Sequence, residues 1–208
     1  MTKSNMIGIV VAFIVGVVGG HVIFGSMSQP PIQNKSASES TMTQTQFTPP
    51  KTNEEKITNA MSAAPLVIAK DATIIDWPAK DGDQPVSLRA GTNGWTCLPD
   101  YPVSPGNDPF CGDAIAMQWF GAYLGHKVPK ISQFGLAYML QGGSDPSNTD
   151  PYATEPKQGE SWMSAPPHVM IFPTQKLDVK VFGTDPDSGN PWIMWANTPY
   201  EHIMMPVK

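Results

Sequence analysis

Two short stretches share a spacing that could do chemistry: His168-Val-Met170 and His202-Ile-Met204. Each lies in an apolar, β-branched run that reads as a strand, so His and Met two residues apart project from one face. If the two strands pair or lie side by side, two imidazoles and two thioethers converge. That donor set suits a soft cation, and Cu(I) is the metal it favours. The chain holds 12 Met, an ample supply of thioether sulfur. The same residues have a plainer use. Met alternating along a strand is ordinary core filler, and a histidine at a strand start is commonly a satisfied structural group.

The polar stretch Ser147–Ser161 is the other place where function is expected, because long loops inside a folded domain are often functional. Asp145, Asn148, Asp150, Trp195 and Tyr200 are read as candidates for lining a ligand pocket. The supply of Trp (Trp95, Trp119, Trp162, Trp192, Trp195) would fit an apolar or sugar-like ligand as well as a core. Asp185, Asp187 and Asn190, like Asp145, Asn148 and Asp150, resemble a calcium loop in composition. Neither run has the EF-hand spacing or its terminal glutamate, and Asx-type turns account for both. There is no nucleophile elbow, zinc-protease helix, P-loop or dinucleotide fingerprint. A hydrolase using His168 or His202 with Asp150 or Asp113 stays open as an alternative. The site is expected where the His168 and His202 strands meet loop 144–161.

Around these residues the chain divides into three. Lys3 precedes the apolar run Met6–Phe24, long enough to cross a bilayer as a helix with its N-terminus in the cytoplasm. Residues 1–25 are therefore read as a membrane anchor, Gly16 and Gly20 forming a weak Gly-x-x-x-Gly, with a cleaved signal peptide as the rival. Residues 26–52, rich in Ser, Thr, Gln and Pro, are read as a disordered tether. Residues 53–208 form the extracytoplasmic domain, placed in the periplasm of an inner-membrane, single-pass protein, or secreted after cleavage. Net charge of -5 with no basic block argues against nucleic acid as a partner. Export to an oxidising compartment makes Cys97 and Cys111 a disulfide, closing a loop too rich in Pro and Asp for regular structure.

Within the domain, Lys56–Ala64 reads as a helix ended by Pro65, and Asp71–Trp77 and Val86–Arg89 as strands. Asp113 is an N-cap for a helix Ala114–Leu124, buried on most sides and stopped by Gly125. Phe134–Leu140 reads as a strand, and Gln141–Pro146 as a break. A meander of His168–Phe172, Pro191–Ala196 and His202–Val207 follows. The expected fold class is α+β: a small, mostly antiparallel sheet with a few helices on one face, loop-rich, with one disulfide.

The segments GTNGWTC at 91–97, YMLQGGSD at 138–145, NTDPYAT at 148–154, PHVM at 167–170 and TPYEHIM at 198–204 resemble an uncharacterised family of small exported bacterial proteins. The likeness spans nearly all of the folded domain. It implies export and one compact domain. The family has no established activity, so no catalytic residue carries over. An anchor-like run and a tether stand here where that family would carry a simple cleavable signal. The reading is a membrane-tethered module that binds a small ligand or a metal such as copper, rather than an enzyme. The alternatives are the histidine hydrolase and a structural envelope component.

Overall fold

Alternation along two neighbouring strands sets the architecture. Cys97 pairs with Cys111, and Leu98 with Phe110. Successive side chains point to opposite faces, so the cysteines look one way and Leu98 and Phe110 the other. Each face finds its own cover. The computed structural model describes residues 47–80 and 83–207. The anchor read over 1–25, and the tether except its last six residues, lie outside them. No helix among the described residues is long and apolar enough to cross a membrane.

The first helix, α1 (Asn53–Met61), starts on a capping box. The Thr52 hydroxyl accepts from the Glu55 N–H, and the Glu55 carboxylate accepts from the Thr52 N–H. This box, unread in the sequence, starts the helix three residues ahead of Lys56. A short α2 (Leu66–Ala69) follows. Then come β1 (Thr73–Asp76), β2 (Val86–Arg89), β3 (Thr96–Leu98) and β4 (Phe110–Gly112), followed by α3 (Ala114–Leu124) and β5 (Gly135–Met139). A small separate pair, β6 (Gly143–Asp145) and β7 (Met163–Ala165), brackets the polar loop. The chain ends with β8 (His168–Phe172), α4 (Val179–Phe182), a 3-10 turn at Pro186–Ser188, β9 (Trp192–Met194) and β10 (His202–Pro206).

The main sheet runs β2-β1-β3-β4-β5-β8-β10-β9, antiparallel except between β1 and β3. The fold is α+β, but the helices do not share one face. Ala60, Ala63 and Ala69, from α1, the turn after it and α2, pack on Ile74 and the Cys97–Cys111 disulfide. On the opposite face, Ala116 and Trp119 of α3 pack on Leu98, Phe110, Ala137, Met170, Phe172 and Met204. Three layers replace the expected two. The helix over the disulfide was read, but not that it covers the face opposite α3, because its buried residues are mostly alanines, which carry little amphipathic signal.

Helix α3 begins and ends where its caps require. Asp113 accepts from the Ala116 N–H at 2.7 Å with one carboxylate oxygen and from the Leu136 N–H at 3.0 Å with the other. One side chain thus caps the helix and fixes it to β5. Only Ala116 and Trp119 are deeply buried, while Ala114, Gln118, Gly121 and Leu124 are exposed. The expectation of burial on most sides is corrected: an uncharged helix here keeps a free outer flank. Gly135 lets the helix approach, since a Cβ there would lie 2.6 Å from the Ala116 nitrogen and 2.9 Å from its Cα. Backbone cannot yield as a side chain can. Gly135→Ala is therefore expected to cost at least about 2 kcal/mol, read as a lower denaturant midpoint at unchanged slope.

Candidate functional site

The two His-x-Met strands are neighbours, β8 against β10, antiparallel. Their register puts Met170 directly opposite Met204 and His168 opposite Pro206. The four residues share the α3 face, yet the histidines fall at opposite ends of the methionine pair. The structure thus brings the methionines together and arranges the rest as a row: His168, the two thioethers, His202. All four are buried, His168 to 1% exposure. Strand β5, on the far side of β8, places Met139 opposite His168. A point one bond length above Gly143 of β6 lies 3.1 Å from Met139 Cε, 3.7 Å from its Sδ and 3.6 Å from His168 Cε1. Thioether and imidazole therefore both border a residue without a side chain. Met139 was missed in the sequence. Its parity on the strand was readable, but its neighbour β8 was not.

The two histidines are held alike and surrounded differently. His168 Nδ1 lies 2.7 Å from the Pro166 carbonyl oxygen, and His202 Nδ1 lies 2.9 Å from that of Tyr200. A carbonyl only accepts, so each Nδ1 carries the proton and each Nε2 a lone pair. Burial lowers both imidazoles to about 4, and each neighbouring carbonyl opposes the shift only in part. Both rings are neutral at physiological pH. His202 is caged by the rings of Trp119, Phe172 and Trp195 at 5.2–5.4 Å. His168 stands between Met139 of β5 and Pro206 of β10, and its Nε2 is buried with no hydrogen-bond partner among the described residues. A lone pair left so is unfavourable by about 1–3 kcal/mol. An Nδ1–H fixed on a carbonyl with a free Nε2 is the arrangement that orients an imidazole toward a metal.

The polar loop is fastened to the core rather than opened into a pocket. Trp195 donates its indole N–H to the Ser147 carbonyl at 2.9 Å, and Trp192 donates to Asn148 Oδ1 at 3.2 Å. Asn148 donates in turn to the Thr184 carbonyl, and Tyr123 to that of Pro151. Tyr200 bonds the Tyr152 hydroxyl and the Lys127 carbonyl. Asp150 accepts from the Tyr152 N–H, closing a turn. None of the five residues read as pocket candidates lines the hollow found in this region. The hollow in this region, about 290 Å³, is lined instead by Trp119, Pro129, Pro173, Asn197, Thr198 and Glu201, among others. Trp195 and Asn197, at φ 51° and 65°, bend the β9–β10 turn beside it. Of the calcium-like runs, Asp185 caps the 3-10 turn through the Asp187 N–H. Among the described residues no three His, Cys, Asp or Glu side chains form a metal-holding group.

Asp145 belongs to a different cluster, whose other members, Asp100 and Asp108, were read only as turn residues. Asp100 accepts from the Asp108 N–H at 2.8 Å, and Asp108 from the Ser144 hydroxyl at 3.3 Å. No Lys or Arg pairs with them among the described residues. Burial, reinforced by the charge of Asp108, pushes Asp100 up to about 6 and Asp145 up to about 7. A carboxyl raised in the folded state binds its proton more tightly there than in the unfolded chain. Its contribution to stability is therefore largest at low pH and falls as pH rises from about 4 to about 7. Asp145→Asn is expected to stabilise the domain above pH 7, on the order of 2–4 kcal/mol, and to change little below pH 4. Unfolding midpoints across that range test this. The histidines oppose it in the wild type, since their lowered values favour folding above about pH 6.5 and lose that contribution as pH falls toward 4. Compared with protein-family models, curated proteins and solved structures, the chain matches none of them.

Proposed function

We propose that this chain is an extracytoplasmic, membrane-tethered module that holds a soft cation, Cu(I), at His168 with the thioethers of Met139, Met170 and Met204. His202 stands at the far end of the row, in its aromatic cage. The observation that carries this reading is the buried, unpartnered Nε2 of His168 beside a methionine-lined strand surface. Neutral imidazole and thioether are ligands that need no proton removed; imidazole accepts copper among other metals, and the thioethers select a soft ion. The absence of a carboxylate partner to either histidine among the described residues favours this over the hydrolase. Both histidines orient through backbone carbonyls, whereas a histidine acting as a general base would be oriented by an acid such as Asp150 or Asp113. An oxidising compartment, which the disulfide also suits, is where a reduced metal needs sequestering. The test is Cu(I) titration of the full chain against a chromogenic Cu(I) chelator under reducing conditions. One equivalent withdrawn from the chelator supports the reading, and no competition at any chelator strength removes it.

A further inference from the structure

The outer flank of α3, turned away from the sheet, departs in character from the rest of the protein. In a chain of net charge -5, the stretch from Ala114 to Ser144 contains no Asp or Glu and carries Lys127 and Lys130. Neither lysine has a carboxylate within ion-pair range among the described residues. The same stretch exposes three large apolar side chains, Leu124 at 54%, Val128 at 61% and Phe134 at 63%. They bracket the free flank of α3. Phe134 precedes Gly135, which lies against Ala116 in the first turn of the helix. Leu124 and Val128 stand at its other end. Between them Gln118 donates to the Lys130 carbonyl at 2.8 Å, and Gln118, Ala122, Lys127, Val128 and Lys130 frame an open hollow of about 500 Å³.

We propose that this flank rests on an anionic lipid bilayer. The pattern is what an interface asks of a protein: apolar side chains enter the boundary region while long lysine stems carry their ammonium groups to the headgroup phosphates. Charge complementarity singles out the occupant. Lysine is attracted to an anionic surface by about 1 kcal/mol apiece, and no acidic side chain in the stretch opposes it. A second copy fits less well, because a two-fold contact through this flank would set Lys127 and Lys130 against their own counterparts. The Met6–Phe24 run, read as an anchor, would keep a bilayer within reach. The proposal is independent of copper.

The experiment uses the full chain with an environment-sensitive fluorophore on a cysteine introduced at Val128, and in a control at Val67 on α2, which is 73% exposed. The native cysteines are bonded and fully buried, so they do not compete for label. The chain is mixed with vesicles of phosphatidylcholine alone or of phosphatidylcholine with one part in three phosphatidylglycerol. The expected result is a blue shift and quenching by a lipid-borne quencher at Val128 in the anionic vesicles only, with Val67 staying in water. Lys127→Glu/Lys130→Glu should lower the docked-to-free ratio about thirtyfold or more. A Val128 label in water with both lipids overturns the proposal, as does a blue shift indifferent to lipid charge. Burial that rises with protein concentration and escapes the lipid quencher overturns it too, and points to self-association.

Discussion

Met170→Leu/Met204→Leu should fold nearly as well as the wild type and hold Cu(I) far more weakly. Leucine matches methionine closely in volume, so each exchange is expected to change stability by less than about 1.5 kcal/mol. Each removes a sulfur from the same face of a cross-strand pair. A loss of at least about tenfold in affinity per thioether is expected, no smaller than what displaced outer-shell partners produce. Met139→Leu belongs in the same series and tests the proposed ligand that only the strand order sets beside His168. His168→Leu should abolish competition with the chelator, since it removes the one buried side-chain lone pair without a partner among the described residues. His202→Leu should cost binding much less, because that ring packs among Trp119, Phe172 and Trp195.

The same geometry fixes a pH profile. Protons compete with copper for Nε2 only near the folded value of about 4. Affinity should stay level from pH 8 to about pH 5, whereas a site of exposed histidines would weaken below pH 6.5. Equal binding by all the variants would place any copper on other groups and return this row to packing.

What could be read from the sequence was what a few adjacent residues decide. Asp113 and Gly125 bound α3 to the residue, because a cap is a contract between neighbours three or four apart. The His168 and His202 strands were also readable, from β-branched runs between turn residues. Their register was not. A shift of two residues along the same antiparallel pair would set each histidine opposite the other strand's methionine and gather all four groups into one cluster. The observed register aligns the methionines instead. Both choices satisfy the alternation, so the choice between them lies in the β9–β10 turn and in what β9 and α3 pack against. Asp100 and Asp108 escaped notice for a similar reason. They lie in a Pro-rich loop that looks exposed, and only the closure of that loop beneath Ser144 and Asn59 buries them.

That closure leads to the second large effect, on stability. Cys97→Ala/Cys111→Ala is expected to cost about 3 kcal/mol, as for other loops of this size, and to lower the midpoint by about 6–12 °C. The cysteines face each other on β3 and β4 beneath Ala60 and Ala63, and neither is exposed. A thiol reductant therefore reaches the bond only when the α1 layer lifts, and at saturating reductant the native protein should be reduced at the rate of that opening. The loop has a second set of ties. Asn59 of α1 accepts from the Asp100 N–H and donates to Asn107, while Trp77 donates to the Pro99 carbonyl. If these hold the loop as firmly as the crosslink does, the cysteine variant will lose less than about 1 kcal/mol, and the entropic account of the bond fails for this loop. Asn59→Ala in each background separates the cases. A bond that acts through the unfolded chain leaves the cost of Asn59→Ala the same with or without it, whereas a shared native clamp makes the second loss larger than the first.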